Sequence, residues 1–160
     1  MRGTAWEVPI PPLPRLQGTL KADVCVIGLG GTGLSAIARL QKHKLRSSVG
    51  IDAVWGAAGA AGRNGGFLLA GPAHFHHRAR QAWGRRAAGE SYGRTVEAID
   101  RLSRDFPDLV DRVGSARLPS DAAEVDDIAI HLAALQDDGF AAQAWTGPRG
   151  EPGLFVPDDG

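Results

Sequence analysis

The chain has 160 residues, of which 43% are hydrophobic and 22% are charged, and its formal net charge is zero. These values are typical of a globular domain with a core, and they exclude a disordered chain. Without an excess of positive charge, nucleic acid is not expected as a partner. The single cysteine, Cys25, excludes an intrachain disulfide and a cysteine-rich zinc site, so a reducing compartment is favoured.

The first 20 residues are predicted to form an extended arm, because prolines stand at positions 9, 11, 12 and 14 and break any helix there. The arm has no apolar run of the length that a signal peptide needs, and no segment of the chain is long and apolar enough to predict a transmembrane span. The sequence therefore predicts a cytoplasmic protein.

A βαβ unit is predicted over residues 23–52. Asp23 to Ile27 is apolar after its first residue, the pattern of a parallel strand that is buried on both faces, with Cys25 as a small buried residue. A glycine-rich turn then leads into a helix that extends to about His43. The segment from Ser48 to Asp52 is predicted to be the second strand and ends in a carboxylate.

The rest of the chain is predicted to be helical at first and then to form short strands. Pro107 should kink or split the longer helix, and Gly139 should end the last helix in a left-handed cap. That last helix carries an apolar stripe at Val125, Ile128, Leu132 and Leu135. The predicted elements are helices at 75–83, 88–113 and from 120, and strands near 117–118, 140–145 and 154–156.

The glycine turn has the spacing of a dinucleotide-binding motif. Gly28 allows a tight turn after the strand, Gly30 lets the backbone approach a pyrophosphate, and Gly33 allows close packing of helix on strand. Gly31 and Thr32 complete the turn at the helix N-terminus, where unpaired N–H groups attract phosphate. The alternative is a glycine-rich turn without a ligand, but the strand before it and the helix after it favour cofactor binding.

Asp52 follows Gly33 by about 20 residues, the position from which a carboxylate accepts hydrogen bonds from the adenosine ribose. An acidic residue here argues against a 2′-phosphate on that ribose. NADP is therefore disfavoured.

A second glycine-rich segment, Gly59-Ala60-Ala61-Gly62-Arg63-Asn64-Gly65-Gly66, follows the second strand. Together with the prolines of the arm and the segment Asp-Val-Cys-Val-Ile-Gly-Leu-Gly-Gly-Thr-Gly, it resembles the first part of the FAD-dependent oxidoreductases of the D-amino-acid oxidase and glycine oxidase superfamily. In such a loop Arg63 can neutralise phosphate and Asn64 can donate to a flavin carbonyl. The cofactor-contacting positions implied in this loop are Gly62, Arg63, Asn64, Gly65 and Gly66. A flexible Gly/Ala linker is the alternative interpretation.

The resemblance implies an α/β protein with a Rossmann-type FAD-binding βαβ unit, inserted helices and the start of an antiparallel substrate domain. Residues 21–118 would be a partial FAD-binding domain, and residues 119–160 the truncated beginning of the substrate domain. The implied reaction is oxidation of the C–N bond of an amine or amino acid by hydride transfer to flavin. We expect these 160 residues alone to be inactive and assign no catalytic residue. The alternatives are an NAD-dependent dehydrogenase fragment and a non-catalytic dinucleotide-binding module.

Two further groups of side chains carry possible chemistry. His74 and His77 could share a helical face, but no carboxylate is near them in sequence, so no metal site is predicted. Arg78, Arg80, Arg85 and Arg86 could form an anion-binding patch, and the sequence favours a solvated helix face instead.

Overall fold

The computed structural model describes residues 15–43 and 47–160, so most of the predicted arm lies outside the described residues. These residues form two compact units, the first ending at Gly66 and the second running from Phe67 to Gly160. In chain order the elements are β1 (Val24–Ile27), α1 (Gly31–Lys42), β2 (Ser48–Ile51), a 3-10 turn (Ala60–Gly62), α2 (His76–Trp83), α3 (Arg85–Asp105), β3 (Ser115–Arg117), α4 (Ala122–Asp137), β4 (Gln143–Thr146) and β5 (Pro152–Val156).

The first unit contains the predicted βαβ arrangement. β1 and β2 pair in parallel, with Val24 opposite Ser48 and Ile27 opposite Ile51. α1 connects the two strands and packs on both, as a crossover connection of parallel strands requires. The strand ends that carry the glycine turn and Asp52 therefore meet at the same edge of the sheet.

The prediction that β1 is buried on both faces is wrong for the described residues. Val24 is 38% exposed and Ile27 is 82% exposed, and Cys25 is exposed rather than buried. The sheet of this unit has two strands among the described residues, so one helix and one neighbouring strand cover only part of β1. The apolar pattern predicts a strand that is suited to burial. The strand is buried only where other elements of the fold pack on both faces of the sheet.

The second unit is built on an antiparallel sheet with the strand order β3-β5-β4. β4 and β5 form the predicted hairpin, and α4 packs on the central strand β5. The core of this unit contains Tyr92, Ile128, Leu135, Leu154 and Val156. The predicted stripe of α4 is confirmed in its orientation, because Ile128 and Leu135 lie in this core and Leu132 packs against it.

The long helix differs from its predicted bounds. α3 begins at Arg85 and ends at Asp105, whereas the prediction ran from 88 to 113. Phe106 leaves helical geometry, with φ −136° and ψ 60°, because a residue before proline is sterically disfavoured in the α region. The stripe residues beyond that point, Leu109 and Val113, are exposed.

The ends of α4 agree with the predicted pattern. Asp121 caps its N-terminus by accepting a hydrogen bond from the Glu124 N–H at 3.0 Å. Gly139 has φ +79° after the C-terminus, as predicted for a left-handed cap. The predicted α/β class, with a parallel βαβ unit followed by antiparallel strands, is confirmed. Among the described helices, none combines the length and the apolar character that crossing a membrane requires.

Candidate dinucleotide-binding site

The glycine turn after β1 depends on glycine at two positions. Gly28 has φ +89°, a conformation that L side chains rarely adopt, and its N–H donates to the Ile51 carbonyl at 2.8 Å. At Gly33 a Cβ atom would overlap the Gly28 carbonyl oxygen and approach the side chain of Val26. The first turn of α1 therefore lies directly against the end of β1, as the dinucleotide motif requires.

The N-terminus of α1 has the character of an anion site. Gly30 occupies the N-cap without a side chain to accept a hydrogen bond, and no acidic residue stands in the first turn. A Cβ at Gly31 would meet nothing within 4 Å, so the space in front of the turn is open. The partial positive charge of the helix end therefore meets no acidic side chain within the first turn itself.

Asp52 lies beside the glycine turn. Its carboxylate accepts a hydrogen bond from the Leu29 N–H at 2.7 Å and another from the Val54 N–H at 3.2 Å. The bond from Leu29, followed by that from Val54, lowers the pKa of Asp52 below its ordinary value. The group is open to solvent, so an ionised carboxylate is held at the edge of the sheet with lone pairs left for a ligand.

The second glycine-rich loop lies next to the first turn. The Ala57 N–H donates to the Leu29 carbonyl at 2.7 Å, and a Cβ at Gly30 would stand 4.0 Å from the Cβ of Ala61. Gly62 approaches the Ala57 carbonyl so closely that a Cβ would overlap it. The two glycine-rich segments predicted to contact a cofactor are therefore adjacent within the first unit.

Asn64 organises this loop. Its Nδ2 donates to the Ala61 carbonyl at 2.7 Å, and its Oδ1 accepts from the Gly66 N–H at 2.8 Å. One Nδ2 hydrogen remains for another acceptor. The Arg63 N–H donates to the Ala60 carbonyl at 3.1 Å and closes the 3-10 turn.

The arginines of α2 and of the start of α3 have ion-pair partners that the sequence did not predict. Arg78 pairs with Asp127, and Arg80 and Arg85 both pair with Asp137 at the end of α4. These partners lie some fifty residues away in the chain, so no local pattern identified them. Three of the four arginines that the sequence suggested as an anion-binding patch therefore form ion pairs that connect α2 or α3 to α4.

Two of the histidines near the start of α2 also lie close to carboxylates of the second unit. His76 is fully buried and its Nε2 lies 2.7 Å from Asp138 Oδ2. Burial alone would raise the pKa of Asp138, but the His76 hydrogen bond and the charges of Arg80 and Arg85 lower it overall. His77 lies 3.3 Å from Asp127, and His74 is exposed. The signal that could have found these pairs is the acidic content of α4.

Comparison with known proteins agrees with the geometry of the first unit. Residues 23–160 match the model of a family described as FAD dependent oxidoreductase. The fold is similar to glycine oxidase from Geobacillus kaustophilus, with a TM-score of 0.56, 17% identity and coverage of 86% of this chain and 40% of that chain. Glycine oxidase from Bacillus cereus ATCC 14579 gives a TM-score of 0.57 and 17% identity, with 88% and 39% of the two chains covered.

A search of the curated proteins gave no match. The chain spans about 40% of the length of the glycine oxidases to which its fold is similar. The family model nevertheless covers most of the chain, including both strands of the βαβ unit and the whole second unit. The resemblance to the D-amino-acid oxidase and glycine oxidase superfamily is confirmed, and the chain belongs to the FAD-dependent oxidoreductase family.

Proposed function

We propose that the first unit binds FAD and that the chain is part of an enzyme that oxidises the C–N bond of an amine or amino acid. The observation that carries the proposal is the 2.7 Å hydrogen bond from the Leu29 N–H to Asp52. It fixes an ionised carboxylate beside a helix N-terminus whose own first turn carries no acidic residue. These are the two features that recognise the ribose and the pyrophosphate of a dinucleotide.

Each proposed contact follows from the local geometry. The pyrophosphate lies on the turn, where the absence of side chains exposes the N–H groups at the start of α1. Asp52 accepts hydrogen bonds from the adenosine ribose through the lone pairs that Leu29 and Val54 leave free. The turn residues proposed for the pyrophosphate are Gly28, Gly30, Gly31, Thr32 and Gly33.

The second loop supports a flavin rather than a nicotinamide. Its backbone carries only small side chains apart from Arg63 and Asn64, so a flat ring can lie against the main chain. Asn64 has one N–H left for a ring carbonyl, and the loop is held beside the turn by the Ala57 to Leu29 hydrogen bond. We propose ring or phosphate contacts at Gly62, Arg63, Asn64, Gly65 and Gly66. Bound FAD supplies the acceptor for a hydride from the substrate carbon.

The chain alone is proposed to be inactive. It spans about 40% of the glycine oxidase chains, and no catalytic residue is assigned within it. We propose residues 21–118 as part of the FAD-binding domain and residues 119–160 as the beginning of a substrate domain. The substrate is proposed to be a small amine or amino acid, whose contacts lie largely in other parts of such enzymes.

The proposal is tested by cofactor titration of the full chain. FAD should raise the midpoint of thermal unfolding and should give a retained yellow chromophore after gel filtration, because a ligand of the folded state stabilises it in proportion to the logarithm of its excess over Kd. NAD at equal concentration is the control. Stabilisation by NAD without stabilisation by FAD would favour a dehydrogenase, and no response to either would contradict dinucleotide binding by this chain.

A further inference from the structure

Ala57, between the two glycine-rich segments, has a backbone conformation that alanine rarely adopts. Its φ is +60°, in the left-handed region, and every other described residue with a positive φ is a glycine. For a residue with a Cβ atom this region costs free energy, so it persists only where surrounding contacts hold it. The contacts of Ala57 therefore indicate what this strained conformation achieves.

Both peptide groups of Ala57 face segments that are proposed to contact FAD. Its N–H donates to the Leu29 carbonyl of the glycine turn at 2.7 Å. Its carbonyl oxygen lies so close to Gly62 of the second loop that a Cβ atom at Gly62 would overlap it. A change of φ to about −60° would rotate these two groups relative to one another by about 120°. The left-handed conformation thus allows Ala57 to contact both segments at once.

Leu29, which accepts the Ala57 hydrogen bond, is itself fixed at two further points. Its N–H donates to Asp52 Oδ2 at 2.7 Å. Its side chain lies over Gly50 of β2, where a Cβ atom would stand 2.6 Å from Leu29 Cδ2. The Leu29 carbonyl therefore has little freedom to move, and the position of the loop depends on how residue 57 meets it.

Hydrogen bonds within the second loop connect Ala57 to the residues proposed to contact the flavin. The Arg63 N–H donates to the Ala60 carbonyl at 3.1 Å, and Asn64 Nδ2 donates to the Ala61 carbonyl at 2.7 Å. These bonds make the loop a connected turn, and the Ala57 carbonyl lies against it. A displacement of residue 57 should therefore displace the loop as a unit.

We propose that Ala57 is a positioning residue for the flavin end of the cofactor, and that its left-handed conformation holds the second loop against the glycine turn so that one FAD molecule contacts both. The proposal rests on the proposed binding of FAD by the first unit. Adenosine and pyrophosphate are assigned to Asp52 and the turn, whereas the flavin end needs the loop. A backbone change at position 57 should therefore alter the affinity for FAD much more than the affinity for ADP, which has no flavin.

Three substitutions separate the backbone conformation from the size of the side chain. Ala57→Gly and Ala57→Asn tolerate a left-handed conformation, whereas the β-branched side chain of Ala57→Val disfavours it at a bulk similar to that of Asn. We expect Ala57→Val to weaken FAD binding about tenfold, and Ala57→Gly and Ala57→Asn to stay within about twofold of the wild-type chain. The affinity for ADP should change less than about twofold in all three variants, because the turn and Asp52 are untouched.

Calorimetric titration of the full chain with FAD and with ADP measures the ratio of the two affinities. Hydrogen exchange of the residue-57 amide, without ligand, measures the bond to Leu29 directly. Its protection should fall in Ala57→Val and should be kept in Ala57→Asn, because only Val favours the conformation that breaks this bond. The matched control is Ala58→Val, since Ala58 is also half-buried but has no positive φ, and its affinity for FAD should be unchanged.

Three results would overturn the role of Ala57. The first is an FAD-to-ADP affinity ratio in Ala57→Val equal to that of the wild-type chain. The second is an equal loss of FAD affinity in Ala57→Asn and Ala57→Val, which would assign the effect to bulk. The third is a loss in Ala57→Gly, which would assign it to packing of the methyl group.

If Ala57→Val does not fold, Ala57→Gly and Ala57→Asn decide, because a loss of FAD affinity in either contradicts the proposal and full retention in both supports it. A wild-type chain that binds neither FAD nor ADP contradicts the proposed function and overturns this role with it. A chain that binds both ligands, with the same ratio in every variant, contradicts the role of Ala57 alone.

Discussion

Gly33 is the residue at which the dinucleotide turn leaves no room for a side chain. A methyl group would overlap the Gly28 carbonyl oxygen, which is backbone and belongs to the turn itself. Removal of this overlap would require α1 to move away from β1. The close approach of the helix N-terminus to the strand end, which the proposed phosphate binding requires, therefore depends on the absence of a side chain at Gly33.

We expect Gly33→Ala to disrupt the first unit and to abolish stabilisation by FAD. The measurement is FAD-dependent thermal unfolding together with hydrogen exchange of the β1 amides. Gly31→Ala is the matched control for folding, because its methyl group would meet nothing within 4 Å and alanine favours a helix. If Gly33→Ala were as stable as Gly31→Ala and bound FAD, the close packing would not matter.

Asp52 has a different proposed role, because its carboxylate is exposed and is proposed to accept hydrogen bonds from the adenosine ribose. Asp52→Asn keeps the size and one acceptor oxygen but removes the charge, so FAD affinity should fall about tenfold. Fluorescence titration with FAD measures the change, with the exposed loop variant Asp108→Asn as control. An unchanged affinity in a chain that binds FAD would assign the ribose to another group.

At the scale of elements, α4 connects most parts of the second unit. Its apolar face packs on β5, and its acidic side chains pair with arginines of α2 and α3. Its start is fixed locally. Asp121 accepts the Glu124 N–H, while Glu124 Oε2 accepts both the N–H and the hydroxyl of Ser120 at 2.8 and 2.6 Å. This reciprocal arrangement satisfies donors that a helix N-terminus leaves unpaired.

Asp121→Ala should therefore reduce the free energy of unfolding by about 1 kcal/mol, the usual cost of losing an N-cap. Urea denaturation of the second unit measures it. Asp126→Ala, on an exposed position of the same helix, should cost nothing because alanine has the higher helix propensity. Equal losses in the two variants would show that the cap does not matter.

At the scale of the whole molecule, buried histidine makes the chain sensitive to acid. The folded state keeps His131 neutral, with a pKa of about 4 against 6.5 for an unperturbed histidine. Between these values the unfolded chain binds more protons at this residue, so the stability that His131 contributes falls as the pH drops from 6.5 to 4 and is fully present above that range. The pKa of His77 is also lowered, first by burial, and acts in the same direction.

We expect acidification across this range to cost the second unit about 3 kcal/mol through His131. His131→Asn, whose Oδ1 can still accept the His76 N–H, should show a flatter dependence of the unfolding midpoint on pH. The control is His74→Asn, because His74 is exposed. A stability profile from pH 7 to 4 that is the same in the wild-type chain and in His131→Asn would contradict the prediction.

The sequence by itself determined the features that depend on neighbouring residues. The spacing of Gly28 and Gly33 after an apolar run predicts the first strand, the turn and the helix. The position of Asp52 predicts a carboxylate at the end of the second strand. The stripe of α4 and the left-handed Gly139 were predictable for the same reason. Each of these features depends on the backbone geometry of a few residues or on the spacing of apolar residues within one element. Both are local constraints that the sequence carries directly.

The tertiary structure decided which surfaces are covered and which charges meet. Cys25 lies in an apolar segment typical of a buried strand, but it is exposed. Its burial would depend on other elements packing on both faces of the strand, and the apolar pattern does not show whether they are present. Arg80 and Asp137 pair across 57 residues, and Asp159 accepts the Ser115 hydroxyl across 44. Contacts at such separations depend on how whole elements pack, and the free energy of that packing is shared among many residues rather than encoded in any one segment.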